Sequence, residues 1–208
     1  MEEKRITERE SLEIITSMIA RTKERYVGDG NILLMWGYVT VAVAVLVWVM
    51  LFTTRNPAWN WLWFLNGIIG GIATPIMARK QEARFGVKSY SDKVTSHIWS
   101  AVGITAVVAT LCCLAFQMVL NVCCWRTMLV FALVIVAFAE LAQGIVVKEA
   151  SLVAGGAIGL CAGLVTVCCI AGEVPLAINW FMPMFIVAFV GMMIIPGHII
   201  NHKSKSQQ

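Results

Sequence analysis

Residues 32–52 read ILLMWGYVTVAVAVLVWVMLF, an apolar stretch that contains no charged side chain. A helix of about 20 mainly apolar residues is long enough to cross the hydrocarbon core of a bilayer, which is about 30 Å thick. The strands of an outer-membrane barrel would instead be segments of about ten residues with alternating polarity. The stretch therefore predicts a transmembrane helix.

Five further stretches pass the same test. The predicted spans are residues 32–52, 59–77, 98–118, 127–147, 152–171 and 177–195. Of the 16 Lys and Arg and 12 Asp and Glu side chains, only Glu140 lies inside a span. The chain of 208 residues is 59% hydrophobic and 13% charged, which excludes both a water-soluble domain and a disordered chain. We expect an all-α polytopic membrane protein, a bundle of six transmembrane helices.

The basic residues predict the orientation of this bundle. If the N-terminus is cytoplasmic, 14 of the 16 Lys and Arg residues lie inside and only Arg55 and Arg126 lie outside. Cytoplasmic loops of membrane proteins carry such an excess of basic residues. Trp36 and Trp99 would mark the inner interface. We expect a multi-pass protein of a bacterial inner membrane with both termini cytoplasmic, and no binding of nucleic acid.

The N-terminal segment, residues 1–30, is predicted to form a separate amphipathic helix on the cytoplasmic side. Thr7 and Glu10 have the spacing of a capping box. Leu12, Ile15 and Ile19 share one face, which could lie on the membrane surface or dock on a partner. The six-helix domain would then cover residues 31–200, followed by a cytoplasmic tail over residues 201–208.

Glu140 is the main candidate for a functional side chain, because a carboxylate in lipid is costly unless it is paired, protonated or hydrated. Gln143 follows it at i+3 on the same helical face. Thr105 and Thr74 are expected at a similar depth, with hydroxyls able to reach the carboxyl. Two interpretations remain open. Glu140 either makes structural hydrogen bonds between helices or belongs to a proton or cation pathway.

Glycines at intervals of four residues predict close helix packing. Such ridges let two backbones approach each other within a membrane. They either join helices of one bundle or join two subunits. The glycines concerned are Gly67 and Gly71 in the second span and Gly155, Gly159 and Gly163 in the fifth.

Three cysteine doublets lie at the predicted outer side: Cys112 and Cys113, Cys123 and Cys124, and Cys168 and Cys169. Small apolar packing residues are the first interpretation. A disulfide between the loop at residues 123–124 and the top of the fifth span is a second one, if the outer side is oxidising. Binding of a soft metal ion is a third.

The N-terminal run TERESLEIITSMIA, followed by GNILLMWGY at the first span, resembles the start of small six-helix inner-membrane proteins of bacteria that carry no assigned activity. The resemblance covers about forty residues and contains no catalytic motif. It implies a bacterial inner-membrane protein and transfers no functional residue.

The chain contains no phosphate-binding loop, nucleophile elbow or zinc-protease motif, so we expect neither an enzyme nor a cofactor nor a bound metal. The first functional hypothesis is a membrane-embedded interaction or regulatory component, acting as a homo-oligomer or with a membrane partner. The alternative is a small proton- or cation-linked transporter or channel that uses Glu140. The lipid bilayer is the expected partner in both cases.

Overall fold

The computed structural model describes residues 30–85 and 90–206, together with Leu12, Glu13 and Thr16. Every element of regular secondary structure in these ranges is a helix, and short loops connect them. Six of the helices are long and apolar enough to span a membrane. These helices are α1 (Asn31–Thr54), α2 (Phe64–Phe85), α3 (Tyr90–Val119), α4 (Arg126–Val147), α5 (Ala150–Ala171) and α6 (Ile178–Ser206). A 3₁₀ helix (Pro57–Trp63) joins α1 to α2.

The six predicted spans are confirmed as helices, with ends that differ by a few residues. The predicted N-terminal amphipathic helix lies almost entirely outside the described residues. Leu12, Glu13 and Thr16 are helical, and the Thr16 hydroxyl donates a hydrogen bond of 2.7 Å to the Leu12 carbonyl. The capping box at Thr7 and Glu10 is not among the described residues.

Four helices, α1, α4, α5 and α6, form the packed centre of the bundle. Helix α6 packs between α1 and α5, and α5 packs against α4. Helix α2 packs against α1, and α3 packs against α4. In the most apolar 18-residue window, 6% of positions are buried in α2 and α3, against 28% to 39% in the other four. Helices α2 and α3 are therefore peripheral, and most of their surface lies on the outside of the bundle.

Helices α4 and α6 are interrupted by single π-helical turns, Phe131–Ile135 in α4 and Val190–Ile194 in α6. Such turns widen the helix locally and are frequent at functional sites. Beyond its π turn, α6 continues through Pro196 as an α-helix to Ser206. The predicted domain boundary at residues 200–201 therefore falls inside a helix.

At the end of the bundle that carries Lys148, Lys203 and Lys205, called the basic end, polar side chains of α6 contact the neighbouring elements. Lys203 Nζ lies 2.6 Å from Glu149 Oε1, and Asn201 donates a hydrogen bond of 2.8 Å to Asn31. Burial raises the pKa of Glu149, but hydrogen bonds from Lys203 and Ser151 outweigh this effect and lower its pKa overall. These contacts fasten the end of α6 to the start of α1 and to the turn between α4 and α5.

Candidate functional site

Glu140 lies in the packed centre of the bundle, seven residues before the end of α4 at Val147. At 1.5 Å per residue this is about 10 Å from the basic end of the helix. Its relative exposure is 0%, and neither carboxyl oxygen has a hydrogen-bond partner among the described residues. Buried polar groups in native structures nearly always have partners, so an exception of this kind needs a functional or structural explanation.

The carboxyl of Glu140 occupies space that a glycine leaves open on α5. A Cβ atom added to Gly155 would lie 2.9 Å from Glu140 Oε1, 2.7 Å from Pro196 Cγ and 2.6 Å from the Met192 carbonyl oxygen. No side chain fits at position 155 without displacing one of these atoms. Gly155 therefore lets α4, α5 and α6 converge around the carboxyl.

The Met192 carbonyl is the second oxygen at this convergence. It belongs to the π turn of α6, and the residue four positions later is Pro196. Proline has no N–H, so it cannot donate the hydrogen bond that a carbonyl at i−4 receives in a regular α-helix. A carboxyl and the carbonyl of an interrupted helix thus face the same glycine inside the bundle.

The predicted glycine ridge of α5 packs within the chain. A Cβ on Gly159 would meet the Met192 side chain and, at 2.7 Å, Ala137 Cβ of α4. A Cβ on Gly163 would lie 2.6 Å from the Leu133 carbonyl oxygen, which is in the π turn of α4. The ridge therefore runs past both π turns, and it joins helices of one bundle rather than two subunits.

The polar residues predicted to meet Glu140 have other partners. The Thr74 hydroxyl accepts a hydrogen bond of 3.0 Å from Trp36 Nε1, and Gln143 Oε1 accepts one of 2.7 Å from Trp99 Nε1. Thr105 is exposed on α3 and donates to the Ala101 carbonyl of its own helix. None of these groups makes the expected hydrogen bond to Glu140, whose oxygens have no partner among the described residues.

Sequence reasoning placed Trp36 and Trp99 at the interface and missed that they tie peripheral helices to the centre. Trp36 links α1 to α2, and Trp99 links α3 to α4. The Trp36 ring lies so close to Gly70 of α2 that no Cβ would fit there. Trp36 is the fifth and Trp99 the second residue of its predicted span, so no sequence signal distinguished either of them from an interfacial tryptophan.

No described residue packs against the glycine ridge of α2. A Cβ on Gly67 or Gly71 would meet no atom within 4 Å. The same is true of Gly103 on α3. These three positions lie on the lipid-exposed faces of the peripheral helices.

A shallow cavity of about 390 Å³ lies at the opposite end of the bundle from the Lys203 contacts, between the 3₁₀ helix and the start of α2. Its walls are mainly apolar and include Trp59, Trp61 and Phe64. Glu140 does not line this cavity. The cavity and the buried carboxyl are therefore separate features.

Glu140 supplies a carboxyl, a group that can hold a proton or bind a small cation. A carboxyl oxygen binds either, and backbone carbonyls of interrupted helices are the usual second ligands inside membrane proteins. Within the described ranges, 30–85 and 90–206, no group of three His, Cys, Asp or Glu residues has the geometry for a metal ion.

Comparison with known proteins adds no assignment. No family model, curated protein or solved structure matches the chain.

Proposed function

We propose that the protein is a small proton- or cation-linked transporter or channel in which Glu140 is the group that takes up and releases the ion. One observation carries the proposal: both oxygens of a fully buried carboxyl inside a span lack a hydrogen-bond partner in the part of the chain that the structure describes. A structural glutamate would use its carboxyl to join helices, since an unpaired one is costly in lipid. Glu140 joins none of the described residues by a hydrogen bond.

The surroundings of Glu140 support a change of conformation. In the present conformation the carboxyl has no contact with solvent, so exchange of an ion requires the helices around it to separate. Both helices that contact the α5 glycine ridge, α4 and α6, contain π turns at the contact. Interrupted helices around a site near the bilayer centre are a common design of secondary transporters.

The direct test is ion flux in proteoliposomes. Purified protein is reconstituted with a trapped pH- or Na⁺-sensitive dye, and flux is driven by a K⁺ diffusion potential. We expect flux above that of protein-free vesicles, and its loss in Glu140→Gln, because an amide keeps the size of the side chain but cannot release a proton or bind a cation as a carboxylate does. Glu149→Gln is the matched control, since it removes a carboxylate outside the spans and should keep the flux.

Two results would contradict the transport proposal. One is the absence of ion flux with the folded wild-type protein under both proton and Na⁺ gradients. The other is equal flux in wild type and Glu140→Gln.

A second candidate is the interaction or regulatory component, and one observation favours it. Helices α2 and α3 are hardly buried, and Gly67 and Gly71 form a small-residue ridge that no described residue packs against. Such ridges dock membrane helices at close range. The occupant would be a second copy of the chain or a helix of another membrane protein.

Subunit counting in nanodiscs tests this second candidate. If α2 forms a homo-oligomer, Gly67→Leu and Gly71→Leu should convert the oligomer into a monomer. Gly103→Leu should leave the oligomer intact, because this glycine is equally open but lies on α3. A wild-type protein that is monomeric in nanodiscs and retains no partner through α2 would refute the candidate.

The proposed location is a bacterial inner membrane, with both chain ends in the cytoplasm. The charge distribution supports this orientation, since Lys148, Lys203 and Lys205 lie at one end of the bundle and Arg55 and Arg126 at the other. A fluorescent protein fused after Gln208 should fluoresce, and alkaline phosphatase fused there should stay inactive. Active phosphatase would reverse the topology.

A further inference from the structure

The connection between α3 and α4 folds back onto the end of α3. The backbone N–H groups of Leu120 and Val122 both donate to the Phe116 carbonyl, at 3.0 and 3.2 Å. Asn121 between them has a left-handed conformation with φ of 52°. The chain therefore reverses directly after Val119 instead of extending away from the bundle.

Trp125 contacts both α2 and α3 and so holds this reversed segment in place. Trp125 Nε1 donates a hydrogen bond to Gln117 Oε1 of α3. The Trp125 ring also packs edge-on against Phe64 of α2, with 5.5 Å between the ring centroids. The segment at residues 120–125 is thus held against the outer ends of both peripheral helices.

The reversal brings two cysteine doublets together. Cys113 Sγ lies 3.5 Å from the Cys124 carbonyl oxygen. All four cysteines are free thiols in the structure. The loop doublet therefore lies next to α3, whereas the sequence suggested the top of α5 as its partner.

The two residues of the closest contact differ in accessibility. Cys113 is 3% exposed, while Cys124 is half-buried. A thiol must be accessible and ionised to attack an external disulfide. Cys124 is accessible to such a reagent at the surface, whereas Cys113 is a buried thiol next to it.

We propose that Cys113 and Cys124 form a redox-active dithiol that closes to a disulfide by exchange with a disulfide reagent. The Cys124 thiolate attacks the external disulfide, forms a mixed disulfide and releases one reagent thiolate. The Cys113 thiolate then attacks the Cys124 sulfur, closes the internal bond and releases the second reagent thiolate. The two protons lost by the cysteines pass to the two released thiolates, so one disulfide is reduced for each one formed.

The bond would join α3 to the segment that leads into α4. Helix α3 is one of the two peripheral helices, so a covalent link at its end restricts how far it can separate from the centre. This end carries Arg126 and, in the proposed topology, faces the oxidising side of the membrane.

The experiment is thiol mapping on the full chain in nanodiscs. The reduced protein is incubated with oxidised glutathione, then denatured and alkylated with a maleimide, and its peptides are identified by mass spectrometry. We expect two of the seven cysteines to become resistant to alkylation and to appear as one linked peptide pair containing Cys113 and Cys124.

Single variants separate the two steps. Cys113→Ser should accumulate a glutathione adduct on Cys124, because the second thiol is missing. Cys124→Ser should leave Cys113 free, because it is buried. Cys161→Ser is the control and should still lose two thiols, since Cys161 is an exposed residue of α5, whereas Cys113 lies on α3 and Cys124 in the segment before α4. If a variant fails to fold, the linked peptide in the wild type decides the matter.

Three outcomes would overturn the proposal. They are seven free thiols after oxidation, a linked pair that contains Cys168 or Cys169, and a linked pair of Cys112 with Cys123 while Cys113 and Cys124 stay free.

Discussion

Replacing Glu140 with methionine should stabilise the protein. Leaving a buried polar group without a hydrogen bond costs about 1–3 kcal/mol. Both oxygens of Glu140 are buried and have no hydrogen-bond partner among the described residues, and Oε1 lies beside Gly155, which Met192 and Pro196 also approach. Methionine has a similar length, adapts to irregular space and contains no strongly polar atom. We therefore expect Glu140→Met to raise the free energy of unfolding by about 1–3 kcal/mol.

The assay is reversible unfolding of the detergent-solubilised protein by SDS, followed through the fluorescence of its eight tryptophans. Gln143→Met is the matched control on the same face of α4. It removes the acceptor of the Trp99 hydrogen bond and should lower the free energy of unfolding by about 0.6–2 kcal/mol. If Glu140→Met is instead less stable than wild type by more than about 1 kcal/mol, the carboxyl has partners and the reasoning fails.

If Glu140→Met is more stable than wild type and has lost ion flux, Glu140 is the residue on which transport depends. Functional groups are often held in surroundings that cost stability, and replacing them commonly stabilises a protein while removing its activity. A Glu140→Met variant that is more stable and retains full flux would show that the buried carboxyl is not used for transport.

Two further predictions concern the glycine ridges and the basic end of the bundle. Gly159→Leu should destabilise the protein by about 1–3 kcal/mol, because a Cβ there already meets the Met192 side chain. Gly71→Leu should change the free energy of unfolding by less than about 0.5 kcal/mol, because a Cβ there meets no described atom. If the SDS titration shows equal losses of stability for Gly159→Leu and Gly71→Leu, the packing described for α5 is contradicted. The lowered pKa of Glu149 means that its contact with Lys203 stabilises the fold fully above the ordinary pKa of 4.5, and that this contribution is lost as the pH falls through the lowered value. Glu149→Gln should therefore lose less stability than wild type on acidification below that range, and identical pH profiles would refute this.

The spans were predictable from the sequence because a membrane crossing is a local property. Twenty apolar residues cross the bilayer whatever their neighbours are, so composition along the chain is enough. Glu140 was identifiable for the same reason, as a charged residue in an apolar stretch. The α5 ridge at Gly155, Gly159 and Gly163 was also evident from spacing alone.

The partners of these residues could not be predicted, because helices in a membrane lack a hydrophobic pattern that distinguishes their neighbours. Lipid tails are as apolar as leucine, so the outer and inner faces of a span look alike in sequence. Depth alone suggested that Thr105 would reach Glu140. The rotation of α3 instead places Thr105 at the surface and brings Trp99 to Gln143.

Six apolar helices, one carboxyl inside them and basic residues at one end could all be predicted from composition along the chain, because hydropathy and charge belong to single residues. Three features appear first in the packed bundle: Gly155 leaves space for this carboxyl, the Met192 carbonyl of a π turn approaches the same glycine, and a reversed loop places Cys124 beside Cys113. These features depend on the rotation and register of packed helices. Both are set by the close fit of side chains from distant segments, which no local pattern records.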